Sequence, residues 1–186
     1  MKVRAFIAIN IDETVRENIS STISALTIGG VKWVSAKNLH LTLKFMGNIS
    51  EDEVGKITEI LSRIVPEHGC FEIGLKGIGA FPNERRPKVI WAGITDPGAV
   101  LNKLQDRIED TLTDAGFGRE ERKFSPHMTI GRVRTPDGLT GFSLKIQHLK
   151  DKNFGNMVVN TVHLMKSELL PAGPVYSALK SYKLKT

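Results

Sequence analysis

Two four-residue stretches carry side chains that could do proton chemistry: His40-Leu41-Thr42-Leu43 and His127-Met128-Thr129-Ile130. Each reads His, apolar, Thr, apolar. On a β-strand successive side chains point to opposite faces, so His and Thr share one face while the apolar pair anchors the other in a core. Two imidazoles on one cleft can divide acid and base work, because the ordinary histidine pKa lies near 6.5 and either protonation state is accessible near neutrality. The two Thr hydroxyls can donate to an oxyanion between them, and phosphoryl oxygens fit that description. A single His-x-Thr tetrapeptide is more often an ordinary strand; the second copy in a similar setting carries the weight. The His, Cys and Glu spacings of a zinc site are missing, and no carboxylate cluster suggests a catalytic metal pair.

The chain has 186 residues, 40% hydrophobic and 25% charged, with a net charge of +6 and one cysteine, Cys70. These values describe an ordinary soluble protein, one domain or two small lobes. The basic excess suits an acidic partner such as nucleic acid. One cysteine excludes an intrachain disulfide and suits a reducing compartment. The apolar run at residues 5–9 is too short for a signal-peptide core, and no run reaches membrane-helix length, so a cytoplasmic protein with no membrane contact is expected.

The elements that must position the motifs follow from periodicity. Residues 3–11 alternate as a strand, with Phe6 also apolar on the second face. Asp12 caps a helix carrying Val15, Ile19, Ile23 and Leu26, ended by Gly29-Gly30. Strands at 31–34 and 39–46 flank a polar turn, and Ser50 with Glu53 forms a capping box for a helix that Pro66 stops. A strand follows at Phe71, Ile73 and Leu75. Gly74, Gly77 and Gly79 fit neither phosphate-loop pattern and read as turn and bulge residues. Residues 81–88 form a loop with Arg85, Arg86 and Lys88, either a solvated cluster or a grip on an RNA backbone. A strand at 89–94 leads to a helix capped by Asp96 and opened by Pro97. Residues 124–134 hold the second motif. A weaker helix includes Leu139, Phe142, Ile146 and Leu149, with Asp137-Gly138 before it as a turn. Strands at about 156–168 and 175–184 close the chain. The order is an approximate repeat with one motif in each half. It predicts an α+β fold of two pseudo-symmetric lobes within a single unit, 1–186. Each lobe is an antiparallel sheet with helices on its outer face, and the cleft lies between the lobes.

The flanks of both motifs resemble the two-histidine phosphoesterase superfamily, in particular the bacterial and archaeal RNA 2′,3′-cyclic phosphodiesterases, also called 2′-5′ RNA ligases. The resemblance rests on residues 31–34, residues 38–47, Phe81-Pro82, residues 89–93, residues 125–132, Ser167-Glu168-Leu169, Gly173-Pro174 and Tyr176. It implies hydrolysis of a terminal 2′,3′-cyclic phosphate on RNA, tRNA-derived ends among the candidates, to a 2′-phosphomonoester. It also implies reversible 2′-5′ ligation, with no metal and no cofactor. By match to the motifs, His40 is the proton donor, His127 the proton acceptor, and Thr42 and Thr129 hold phosphoryl oxygens. A monomer is expected. Two other readings remain open: an RNA-binding protein with little turnover, and a phosphodiesterase for a small cyclic nucleotide derivative.

Arg85, Arg86, Arg132 and Tyr176 are further candidates for substrate contact. Strict alternation from His127 points Arg132 away from the site, whereas a bulge at Gly131 would return it. Tyr176 reads as a core aromatic or a platform for a base. Trp33 and Phe6 read as core, and His68 and His163 as structural or exposed.

Overall fold

The structure, a computed structural model, describes residues 2–26, 28–96, 98–135, 139, 141–171 and 173–186. Among these residues nine strands form two antiparallel sheets. The first sheet has the order β3 (His40–Ser50), β1 (Lys2–Asn10), β8 (Thr161–Leu170), β9 (Gly173–Lys183). The second has the order β2 (Val31–Trp33), β6 (His127–Val133), β5 (Val89–Thr95), β4 (Phe71–Phe81), β7 (Asn153–Val159). The two motifs therefore sit on different sheets, as the α+β bilobal plan requires.

The lobes do not follow the halves of the chain. β1 and β3 belong to the first sheet while β2, between them in sequence, belongs to the second. The single strand expected at 156–168 is two strands, β7 and β8, which part at Asn160 and enter different sheets. The apolar pattern runs through that junction without Gly or Pro, so periodicity cannot see the chain change sheets.

Helix α1 (Glu13–Ala25) begins as its cap requires, with the Asp12 carboxylate accepting from the Val15 amide at 2.9 Å. It lies on β7, where the Asn18 amide donates to the Phe154 carbonyl at 2.9 Å. The Ser50–Glu53 capping box opens α2 (Glu51–Ile64). Pro66 does not end the helical path; it enters a 3-10 turn at Val65–Glu67, where an early-turn proline lacks nothing it would have to donate. α3 (Val100–Asp114) starts later than expected. The Asp96 carboxylate still accepts from its first amides, Val100 and Leu101, at 3.1 and 2.9 Å. Pro97 and the Asp137-Gly138 turn lie outside the described residues. α4 (Phe142–Gln147) is shorter than the apolar spacing suggested, holding Phe142 and Ile146 but not Leu139 or Leu149, with Gly141 just before it. α2 and α3 pack on each other and on β3. Gly77 is the expected bulge residue: the β4–β5 register passes over it, and its φ of +78° is one that glycine tolerates.

One apolar core, with Ile7, Leu41, Ile57, Ile90, Leu104, Met128 and Ile130 fully buried, fills the space between the sheets' inner faces and the helices. A second, small cluster of Phe6, Ala8 and Met165 lies on the opposite face of the first sheet, with Tyr176 against it. Phe6 is thus buried on the cleft side rather than in the main core, whereas Trp33 packs on the main core as expected.

Candidate active site

His40 opens β3 and His127 opens β6. The two strands come within 8 Å of each other at their Cα atoms, and the chain passes from one sheet to the other between them, with the Val34 amide bonded to the Ile130 carbonyl at 2.9 Å. Both motifs alternate as their sequence requires. Leu41 and Leu43 are buried on β3, Met128 and Ile130 on β6, and His40, Thr42, His127 and Thr129 are half-buried on the other face.

The two imidazoles are held in the same way. His40 Nδ1 lies 2.7 Å from the Asn38 carbonyl oxygen, and His127 Nδ1 lies 2.7 Å from the Ser125 carbonyl oxygen. A carbonyl only accepts, so Nδ1 carries the proton in both rings and donates it. In the neutral ring Nε2 is then a free base, and in the charged ring it is an acid. Each ring also rests against aromatic groups. His40 lies 4.8 Å from Phe6 and 5.2 Å, edge-on, from Tyr176. His127 lies 4.9 Å, edge-on, from Phe81, which in turn lies 5.3 Å from Trp91. Burial pushes the His40 pKa below its ordinary value, opposed by the hydrogen bond to Asn38.

Each motif strand breaks register at its fourth residue. On β3 the pairing runs Ala8↔Thr42 then Ile7↔Lys44, passing over Leu43. On β6 it runs Trp91↔Thr129 then Ile90↔Gly131, passing over Ile130. A bulge keeps the next residue on the core side and turns the one after it back to the motif's own face. It brings Phe45, 65% exposed, beside Phe6 at 6.2 Å, and it sends Lys44 into the core. On β6 it returns Arg132 to the face of His127 and Thr129, so the bulge settles the choice that alternation left open. Gly131 at the bulge has no room for a side chain, since a Cβ there would stand 2.8 Å from the Trp33 ring.

Lys44 makes a buried ion pair with Glu109 of α3 at 2.6 Å and donates to the Gly118 carbonyl at 2.8 Å. The same carboxylate accepts from the Glu120 amide at 2.8 Å. The strand of the first motif is thereby tied to the loop that delivers the second. Sequence reasoning passed over Lys44; its one signal was a charge where a bulge-free strand would also place a solvated residue.

The remaining candidates are dispersed. Tyr176 is not in the core; it stands half-buried on the cleft side against His40 and Phe6. Arg85 lines a cavity of about 850 Å³ on the second sheet with Lys76, Gly79, Trp91 and Lys150, while Arg86 is exposed outside that lining. The amides of both arginines bond to the Asn83 side chain at 3.0 Å. His163, read as structural or exposed, occupies the cleft face: it pairs with Ala8, which pairs with Thr42, and its Nδ1 lies 2.8 Å from the Ser181 hydroxyl. His68 takes no part in the cleft, sitting after the 3-10 turn beyond α2. Among the described residues no group of three His, Cys, Asp or Glu side chains could hold a metal ion.

The sequence profile of the 2′-5′ RNA ligase superfamily matches residues 15–169. A protein of Methanothermobacter thermautotrophicus named RNA 2′,3′-cyclic phosphodiesterase is 37% identical over 186 residues, covering 99% of this chain and all of the relative. One of the same name from Thermotoga maritima is 35% identical over 182 residues, 95% of this chain and 93% of the relative. Among solved structures, TT0787 of Thermus thermophilus superposes with a TM-score of 0.83 at 27% identity, covering 98% of each chain. E. coli LigT complexed with 3′-AMP superposes with a TM-score of 0.81 at 24% identity over the full length of both chains, a likeness of fold.

Proposed function

The chain belongs to the 2′-5′ RNA ligase superfamily, and from that premise we propose that it hydrolyses RNA 2′,3′-cyclic phosphate ends to 2′-phosphomonoesters by acid–base catalysis between His40 and His127. The observation that carries this reading is the matched hold on the two rings, Nδ1 to a carbonyl two residues back at 2.7 Å in each case. It reserves both Nε2 atoms for substrate. A protein that only bound RNA would have no use for two imidazoles fixed in one tautomer.

His127, the more open of the two, takes a proton from water as its oxygen attacks phosphorus in line with the 3′-oxygen. His40 gives a proton to that departing oxygen. The P–O3′ bond breaks, the new P–O bond forms, and the product keeps its phosphate on the 2′-oxygen. Thr42 and Thr129 donate to the non-bridging oxygens as negative charge builds there. A negatively charged phosphate beside His40 favours the imidazolium and offsets the effect of burial. Ligation is the same exchange with a ribose hydroxyl in the place of water, and the P–O3′ bond breaks as before. The five-membered ring supplies its own strain, so the reading needs neither nucleotide triphosphate nor metal.

The chain works as one bilobal unit over residues 1–186 with one His-x-Thr motif per lobe, a reading supported by sheets that each draw strands from distant parts of the chain. A cytoplasmic monomer acting on RNA ends, tRNA-derived ends included, agrees with the net charge of +6 and a single cysteine. No helix among the described residues is long and apolar enough to cross a membrane. The test is incubation of purified protein, in EDTA, with an oligoribonucleotide ending in a 2′,3′-cyclic phosphate. A 2′-phosphate product is expected; an untouched substrate or a 3′-phosphate would contradict the reading.

A further inference from the structure

The cleft carries charge that the two motifs do not use. Arg132 of β6 and Lys32 of β2 are direct cross-strand partners. Such partners share a face, so the bulge that brings Arg132 to the cleft brings Lys32 with it. Trp33, next along β2, points the other way onto the core. The Lys32 ammonium reaches the β8–β9 hairpin, 3.6 Å from where a Cβ would stand on Gly173. The hairpin is itself fastened to the segment before His40, through the Asn38 amide and the Pro174 carbonyl at 2.8 Å.

Arg4 arrives from the other sheet. It precedes Phe6 by two residues on the same face of β1, and it pairs with Asn48. Tyr176 stands between the two sources of charge. The Arg132 and Arg4 guanidinium groups both favour its phenolate, against a burial that pushes the phenol pKa up. Arg4, Lys32 and Arg132 are exposed, and none of them has a carboxylate partner among the described residues. Cations gathered from two sheets without counter-charge repel one another and gain from an anion placed among them.

We propose that Arg4 and Arg132, which act on Tyr176, and Lys32, the cross-strand partner of Arg132, form a second phosphate subsite that takes the phosphodiester on the 5′ side of the terminal nucleotide. Its reading as an RNA subsite rests on the proposed cyclic phosphodiesterase activity. The Tyr176 ring touches His40 at 5.2 Å, so an anion gripped beside the phenol neighbours a phosphate held at the histidines. Guanidinium groups suit the task because their donors match phosphate oxygens in pairs. Phe45 and Tyr176 offer ring faces on which the intervening base can stack. A cyclic mononucleotide has no such phosphodiester and forgoes these interactions. The enzyme therefore selects RNA ends over small cyclic nucleotides.

The experiment compares adenosine 2′,3′-cyclic phosphate with the dinucleotide ApA ending in the same cyclic phosphate. The wild type should show a lower KM for the dinucleotide. Arg4→Gln and Lys32→Gln should raise that KM on the order of tenfold each, more than they raise the mononucleotide KM, with kcat nearly kept. The dependence of log KM on log salt for the dinucleotide should flatten by about 0.7 for each cation removed from the phosphate. Lys103→Gln removes an exposed cation on α3 and should leave the ratio between the substrates unchanged. Equal KM values in the wild type, or equal penalties on both substrates, would overturn the subsite while leaving hydrolysis standing. Failure to hydrolyse either substrate would instead overturn the proposed function on which it rests.

Discussion

His40 Nδ1 lies 2.7 Å from the Asn38 carbonyl oxygen, two residues back on its own chain, and His127 repeats that distance with Ser125. In each case the acceptor is a main-chain carbonyl, so the tautomer is set by the backbone and not by a replaceable side chain. Nitrogen-15 NMR of the free protein should show both neutral rings protonated at Nδ1. A proton on Nε2 of either ring would remove the matched pair on which the mechanism depends.

The pH dependence follows from the setting of His40. Burial lowers its pKa from the ordinary 6.5 in the free protein. As general acid it must be protonated, so kcat/KM should fall as pH rises through a value below 6.5. The corresponding limb in kcat should lie higher, because bound phosphate favours the charged ring. Tyr176→Ser admits water to the ring and should move the kcat/KM limb upward. A limb already above pH 7, unmoved by that substitution, would contradict the assignment.

Stability should carry the same signature. Folding lowers the pKa of both His40 and His163 from 6.5. In the window between the ordinary and the lowered values the unfolded chain binds more protons, so stability rises with pH there. The contribution is fully present above 6.5 and is lost as pH falls through the lowered values. Urea midpoints at pH 7.5 and 5.5 should differ less in His163→Asn than in the wild type. An unchanged difference would exclude His163 from the effect.

The Lys44–Glu109 pair is a positioning device. Both side chains are nearly enclosed, at 3% and 9% exposure. Lys44→Met strands a buried carboxylate and should cost about 3–5 kcal/mol, whereas Lys44→Met with Glu109→Leu should recover most of that loss. The double variant keeps its fold but loses the tie between β3 and the loop before His127, so its kcat should remain below wild type. Additive losses in stability would show that the two groups do not act as a pair.

Gly79→Ala probes the floor of the second sheet. A Cβ there would stand 2.3 Å from the Trp91 ring, which Phe81 confines from another side. The indole must leave, costing about 1–3 kcal/mol. Its fluorescence should shift, and because Trp91 lies against Phe81 and Phe81 against His127, kcat should fall. Unaltered emission and unaltered kcat would show that Trp91 does not support the His127 ring through Phe81.

The chemistry-bearing residues were legible because they obey the simplest rule of a strand: His and Thr two apart share a face whatever the fold around them. Arg132 was legible only as an alternative, since its direction depends on a register break over Ile130 that Gly131 permits but does not require. Phe6 and Tyr176 have apolar bodies, and a sequence does not distinguish a second, small cluster facing a cleft from the main core. His163 looked solitary because its neighbours Ala8 and Thr42 reach it only through sheet pairing. Helix starts at Asp12 and Ser50 were readable from local caps, whereas the parting of β7 and β8 at Asn160 is a decision of tertiary packing.

The division of labour between the two histidines is tested most directly by single-turnover rates on cyclic phosphate ends whose 3′-leaving atom is oxygen or sulfur. With oxygen, His40→Ala and His127→Ala should each lose about 10²–10⁴ in rate while circular dichroism reports an intact fold. A thiolate departs with little need of a proton, so sulfur should restore much of the rate to His40→Ala and little to His127→Ala. Rescue of His127→Ala alone, or of both alike, would contradict His40 as the proton donor. A near-wild-type rate with oxygen in either variant would contradict the two-histidine mechanism itself.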